Sequence, residues 1–222
     1  MSTHTPSPLL RRKQTIIFDF DGTLANIELV FLTIFNRLAP EFGYAPIRPK
    51  EIPGIKKLSL TAFVWKRLGL RLLFLPQILR RGREEYHQLA PTITLFPGIQ
   101  DLLRALRSHG YHIGIVSSSR SDTITNILTK FDIPMDFIYH SGLFNKSKTL
   151  AEVMRIQHLS QETCLYVGDE VRDVKACRKI DLDIIAVTWG LNDATTLKAT
   201  GAPTVDTPSE LLDILIASYP AE

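Results

Sequence analysis

The 222-residue chain predicts an α/β fold: a parallel sheet with helices on both faces, and a helical insertion after the first strand. Three observations carry this. Beyond Pro97-Gly98, short β-branched runs alternate with amphipathic segments, as parallel strands joined by right-handed helical crossovers do. One further strand-like run, Thr15–Phe20 (TIIFDF), stands alone near the start and is closed by Gly22. Between the two, from Glu28 to about Ala90, the spacing is helical and carries no strand signal.

The insertion opens with Val30, Phe31, Ile34, Phe35 and Leu38, apolar at the three- and four-residue intervals of one helix face. Pro40, Gly43, Pro46, Pro49, Pro53 and Gly54 punctuate the connection to a second helix, Ser59–Leu68. A third runs from about Pro76, placed near a helix start, toward Leu89. The alternation then reads helix Ile99–Ser108 closed by Gly110, strand His112–Val116, helix Asp122–Lys130, strand Phe137–His140 and helix Thr149–Gln157. It continues with strand Cys164–Val167, helix Val171–Ile180 and strands Asp183–Thr188 and Pro203–Val205. Helix Ser209–Ala217 closes it, with Ser209 or Thr207 as cap. The expected organisation is a loose tail over 1–14, a core made of 15–24 and 95–222, and a helical insert over 25–94.

Composition excludes several classes. With 45% hydrophobic and 22% charged residues the chain is neither disordered nor fibrous. Cys164 and Cys177 sit in no metal-binding or redox spacing, so they read as free buried thiols of a reducing, cytoplasmic setting. The greasiest stretch, Leu68–Leu79, is broken by Gly69, Arg71 and Pro76 and is too short to span a membrane. Met1–Gln14 carries a basic cluster, Arg11, Arg12 and Lys13, but lacks the apolar run of a secretory signal. A net charge of +3 is too small to argue for nucleic acid. Its distribution is uneven: Ala25–Thr94 holds eleven Lys and Arg against five Glu, a net +6, which leaves −3 elsewhere. That is either a solvated set of helix faces or a field that gathers small anions.

Parallel sheets bind ligands at the carboxyl ends of their strands, and there the chemistry collects. The first strand ends Asp19-Phe20-Asp21-Gly22-Thr23. Two carboxyls at the mouth of a buried strand are costly unless they hold a cation or react. Gly22 permits the turn, and Thr23 can donate to an oxyanion. Ser117, Ser118 and Ser119 end the next strand with donors suited to phosphate oxygens. Gly168-Asp169-Glu170 ends another, with Asp173 one helical turn on. Asp19 and Asp169 can supply the carboxylates that a hard divalent cation takes. Lys146 and Lys148 follow the Phe137–His140 strand and can neutralise a phosphoryl group.

DFDGT at Asp19–Thr23, the hydroxyl of Ser117, the lysine near 146 and GDEVRD at Gly168–Asp173 resemble the four motifs of the haloacid dehalogenase superfamily. Phe96-Pro97-Gly98 is similar to the return from cap to core in its phosphoglycolate-phosphatase-like members, and Val187–Gly190 to their strand end after the fourth motif. The resemblance implies a Rossmann-like core with a helical cap, and an enzyme that cleaves a small phosphorylated metabolite with Mg2+. It implies Asp19 as nucleophile, carrying an aspartyl phosphate, and Asp21 as general acid and then base. Mg2+ falls to Asp19, Asp169 and Asp21, the last through its backbone carbonyl. Ser117 and a lysine meet the phosphoryl group, with Thr23, Ser118 and Asp173 in support. Lys146 directly follows the Gly142–Asn145 loop where the motif lysine lies, and is preferred over Lys148. Dehalogenases lack an acid at the position of Asp21, because halide leaves without a proton. A phosphomutase of the beta-phosphoglucomutase type and a catalytically silent binding protein on the same fold remain the alternatives. For recognition of the rest of the substrate, the insert offers Arg48, Lys56, Lys57, Trp65 and Arg67.

Overall fold

The computed structural model describes residues 13–143 and 145–218. Its centre is a six-stranded, all-parallel sheet built from β1 (Thr15–Phe18), β4 (His112–Ser117), β5 (Phe137–His140), β6 (Cys164–Gly168), β7 (Ile184–Val187) and β8 (Thr204–Val205), in the order β5-β4-β1-β6-β7-β8. The two-residue period of a strand sends alternate side chains to opposite faces. Ile16 and Phe18 therefore join one core with Ile113, Ile115, Leu165 and Val167, while Ile17 joins another with Val116, Cys164 and Tyr166. Helices α5 (Ile99–Ser108), α6 (Ser121–Thr129) and α10 (Pro208–Ser218) cover the first core; α7 (Lys146–Ile156), α8 (Val171–Arg178) and α9 (Ala194–Lys198) cover the second. Burial on both faces is why these strands are near-continuous apolar runs, each large side chain contributing about 1.5–3 kcal/mol.

The sheet places β1 between β4 and β6, so the ends of the three strands that carry Asp19, Ser117 and Asp169 lie side by side. Between β1 and α5 the chain leaves the core and returns. Its exit and return are zipped by a two-residue antiparallel pair, β2 (Ala25–Asn26) with β3 (Thr94–Leu95). The cap between them is α1 (Glu28–Phe42), α2 (Ile52–Ile55), α3 (Leu60–Leu68) and α4 (Leu75–Leu89), around a small core of Leu38, Ala39, Tyr44, Leu68 and Ile78. Ser59 caps α3, its hydroxyl accepting from Ala62 N–H, and Thr207 caps α10 in the same way for Glu210.

Some expectations shift. The expected tail lies outside the described residues up to position 12, but Lys13 and Gln14 belong to the core. Lys13 is buried, donates to the carbonyls of Gln161 and Cys164 at 2.7 and 2.8 Å, and pairs with Asp183 at 2.6 Å. Gln14 N–H donates to Thr163 O, extending the pairing of β1. The long stem of Lys13 lies in the interior while its ammonium meets acceptors at the sheet's lower edge. Helix α7 starts at Lys146, three residues before the expected Thr149, and α9 lies where no element was expected. Cys164 and Cys177 are free and buried, and burial pushes the Cys164 thiol up to about 12. No helix among the described residues is long and apolar enough to cross a membrane.

Candidate active site

Asp19 leaves the sheet with its amide still bonded to Val167 O at 2.8 Å, so its carboxyl stands at the strand mouth. One oxygen accepts from Phe20 N–H at 2.8 Å and the other from the Lys146 ammonium at 2.7 Å. Burial opposes its charge, but Lys146 and Arg172 outweigh burial and hold this carboxyl below the usual range. Lys146 lies on the first turn of α7, buried, and also bonds Asp173 at 2.5 Å; Lys148 is exposed. Against the cost of burial, Asp173 and Asp19 hold Lys146 firmly protonated.

Asp21 lies two residues on and in a different environment. Ser119 donates to its Oδ2 from the core, and Tyr86 donates to its Oδ1 at 2.6 Å from α4 of the cap. Burial raises this carboxyl by more than the two hydroxyls lower it. Burial first, then the charge of Asp21, also pushes the Tyr86 phenol far up, so the phenol remains a donor. Two carboxyls on one strand end are thus driven in opposite directions.

Asp169 ends β6 with both oxygens engaged, accepting from Thr23 Oγ1 at 2.8 Å and Leu191 N–H at 2.7 Å. The backbone closes round it. A Cβ on Gly22, which has φ +83°, would lie 2.2 Å from the Asp169 carboxylate. A Cβ on Gly190 would lie 2.3 Å from it and 2.4 Å from Gly22 O. The second clash is with backbone, which cannot rotate away. Gly190→Ala is therefore expected to lower the melting temperature by several degrees and to weaken divalent-cation binding at least several-fold; calorimetric titration and a thermal melt check both.

Asp19, Asp169 and Asp173 each offer an oxygen within 4.8 Å of the others. With Glu170 they make four buried carboxyls against two cations, Lys146 and Arg172. Burial, followed by Glu170, Asp173 and Asp19, pushes Asp169 well above the carboxylate range, and burial likewise raises Asp173 and Glu170. An all-oxygen donor set with surplus negative charge fits a hard divalent cation. The side chain of Asp21 stands outside this trio, on Ser119 and Tyr86.

Ser117 is fully buried, and its hydroxyl accepts from Ser119 N–H at 3.4 Å. Ser118 contacts Arg172, whose guanidinium is otherwise held by Glu170 at 2.7 Å. Nη1 of Arg172 is a buried donor with no acceptor among the described residues. Trp189 Nε1–H anchors the turn by donating to Thr23 O at 3.0 Å. The cap reaches the core through residues 56–58: Asn192 donates to the carbonyls of Lys56 and Leu58, both at 3.0 Å, and accepts from Val171 N–H. Lys56 donates to Gly190 O at 3.1 Å and pairs with Glu28 at 2.6 Å. A cleft between cap and core is lined by Phe31, Ile55, Lys56, Leu191 and Glu170, the last adjoining Asp169. Of the other cap candidates, Arg48 and Lys57 are exposed, Trp65 is 64% exposed, and Arg67 pairs with Glu51. Sequence reasoning missed Tyr86, Arg172 and Asn192. Arg172 stood inside the GDEVRD motif and could have been found there; Tyr86 and Asn192 carry no local signal.

The chain matches the haloacid dehalogenase-like hydrolase family over residues 16–187. A phosphoglycolate phosphatase of Synechococcus elongatus is 36% identical over 90% of this chain and 95% of its own length. Another, from Nitrosococcus oceani, is 26% identical over 94% and 96%. The fold is similar to that of a haloacid dehalogenase-like hydrolase from Streptococcus pneumoniae, with a TM-score of 0.78 and 24% identity over 91% of this chain and 98% of that one. The chain belongs to the haloacid dehalogenase-like hydrolases, and within them it is a phosphatase.

Proposed function

We propose that the chain is a Mg2+-dependent phosphomonoesterase acting on a small acidic ester of the 2-phosphoglycolate kind through an aspartyl phosphate. The observation that carries this is the placement of two carboxyls on one strand end: Asp19 faces Lys146 within the carboxyl trio, whereas Asp21 turns away to Ser119 and Tyr86, and these surroundings push the two in opposite directions. Paired groups driven apart in this way separate a nucleophile from an acid and base. Asp19 attacks phosphorus, the bond to the ester oxygen breaks, and Asp21 gives that oxygen its proton. Water then attacks the phosphorus of the aspartyl phosphate while Asp21 takes its proton, which releases inorganic phosphate and restores Asp19. Lys146, Ser117 and Arg172 Nη1 offer donors and positive charge to the phosphoryl oxygens throughout. Asp19, Asp169 and the Asp21 carbonyl would hold Mg2+, with Asp173 in support; bound there, the ion neutralises charge on the transferring group.

The substrate class rests on the cap and on the relatives' activity. A phosphate at the strand ends would leave the glycolate carboxylate to be met from the cleft, and Lys56 is the cap cation among the residues that line it. Lys56→Ala is expected to narrow the preference for 2-phosphoglycolate over a neutral ester of similar size by about ten-fold in kcat/KM, the worth of one charge-assisted hydrogen bond. The exposed Lys57→Ala should leave the ratio unchanged. Phosphate release is measured with Mg2+, with Ca2+ as the inactive control. No preference for the acidic ester would overturn the substrate class, and phosphoryl transfer to a sugar hydroxyl in place of water would overturn hydrolysis.

A further inference from the structure

Tyr86 lies 65 residues from Asp21 in the chain and on the other side of the cap-core boundary, yet its hydroxyl lies 2.6 Å from Asp21 Oδ1. Its ring packs against the main hydrophobic core beneath the cap. Ser119 holds the opposite oxygen from the core side. A carboxyl on a short side chain is free to spin about its last torsion, and a donor on each oxygen fixes its plane. One of these donors arrives only when α4 is seated on the core.

We propose that Tyr86 is a positioning residue for Asp21, so that seating the cap orients the group that protonates the leaving oxygen and activates water. This rests on the reading of Asp21 as acid and base given above. The Tyr86 hydroxyl bonds Asp21, not the carboxyl trio that would hold a metal, so it acts through Asp21. Its loss therefore matters in proportion to the help that a leaving group needs. An alkoxide needs a proton delivered as its bond breaks, whereas a nitrophenolate leaves nearly unaided.

The test uses Tyr86→Phe, which keeps the ring, in the full chain with saturating Mg2+. Phosphoenzyme formation is followed by rapid quench for p-nitrophenyl phosphate and for 2-phosphoglycolate. The burst with the aryl ester is expected to stay within about two- to three-fold of wild type, while cleavage of the alkyl ester falls about ten-fold or more. Steady-state turnover of the aryl ester should also slow, because hydrolysis of the aspartyl phosphate still needs an oriented base. In an Asp21→Asn background the same change should add nothing. An equal loss for both esters, or a further loss on top of Asp21→Asn, would mean that Tyr86 serves only structure and would overturn the proposal. Wild-type rates in Tyr86→Phe beside an impaired Asp21→Asn would overturn it too, while leaving the role of Asp21 standing. An Asp21→Asn protein with unaltered alkyl turnover would remove that role and the proposal together. A matching melting temperature for Tyr86→Phe and wild type confirms that both kinetic arms compare folded proteins.

Discussion

Asp19→Asn protein is expected to release no phosphate above background from any ester, a loss on the order of 10^4-fold or more, as when a covalent nucleophile is removed. The amide keeps the shape of the side chain and can still accept from Phe20 N–H, but its NH2 replaces the oxygen that accepted from Lys146. What disappears is the charge that Lys146 and Arg172 stabilise and the oxygen that would bond phosphorus. Stability should fall too, though modestly. The fold holds Asp19 below the usual carboxylate range, so its charge is net stabilised here and its loss removes a partner of Lys146; Asp173 still holds that ammonium, and Asp169 and Asp173 are relieved of one repulsion. In metal-free buffer the variant's melting temperature should therefore lie a few degrees below that of wild type. A melt and a rapid-quench search for phosphoenzyme settle both halves. Turnover at even a tenth of the wild-type rate would exclude Asp19 as the nucleophile.

The parts of this molecule that were legible in sequence are those in which one local pattern has one physical solution. A run such as TIIF has no polar face, so it must be a strand covered on both sides, and the order of such runs implies the parallel sheet. Asp19, Ser117 and Asp169 were readable for the same reason: each ends a buried strand, where a polar residue needs a purpose. Legibility stops where a contact depends on two distant segments meeting. Tyr86 is one exposed-or-buried ambiguity on an amphipathic helix until α4 is laid against the core. Asn192 is an ordinary loop residue until residues 56–58 come down to it. Lys13 reads as part of a basic tail because three cations in a row mark solvent. Only the meeting of β1 with the turn before β6 supplies its acceptors. The same limit applied to the two lysines. Spacing to Asp169 left Lys146 and Lys148 open and only the preceding loop favoured Lys146; the start of α7 then puts Lys146 on Asp19 and Asp173 and leaves Lys148 exposed, since residues two apart on a helix face different directions.

Lys146→Ala is expected to be costly twice over. The ammonium bridges Asp19 and Asp173 at 2.7 and 2.5 Å, with all three groups buried. Removing one partner of a buried pair leaves its charge uncompensated, a loss of about 3–5 kcal/mol. In a chain of this length that corresponds to a drop in melting temperature of roughly 6–20 °C. Part of the penalty should be escaped by protonation, because Asp19 and Asp173 without their cation rise toward neutral carboxyls. That escape costs activity, since a protonated Asp19 is no nucleophile, and phosphoryl transfer should fall about 10^2- to 10^3-fold, as for loss of one preorganised electrostatic donor. A divalent cation offers a different remedy. The variant site carries one more uncompensated negative charge than wild type, so saturating Mg2+ should raise its melting temperature by more than it raises that of wild type. The exposed Lys148→Ala serves as comparison, with stability and activity both near wild type. Melts with and without Mg2+, together with kcat for the two variants, distinguish the outcomes. If Lys148→Ala lost activity while Lys146→Ala kept it, the charge beside Asp19 would have no part in the chemistry. If Lys146→Ala lost activity with no change in its response to Mg2+, Lys146 would serve the phosphoryl group alone, with no share in balancing the carboxyls.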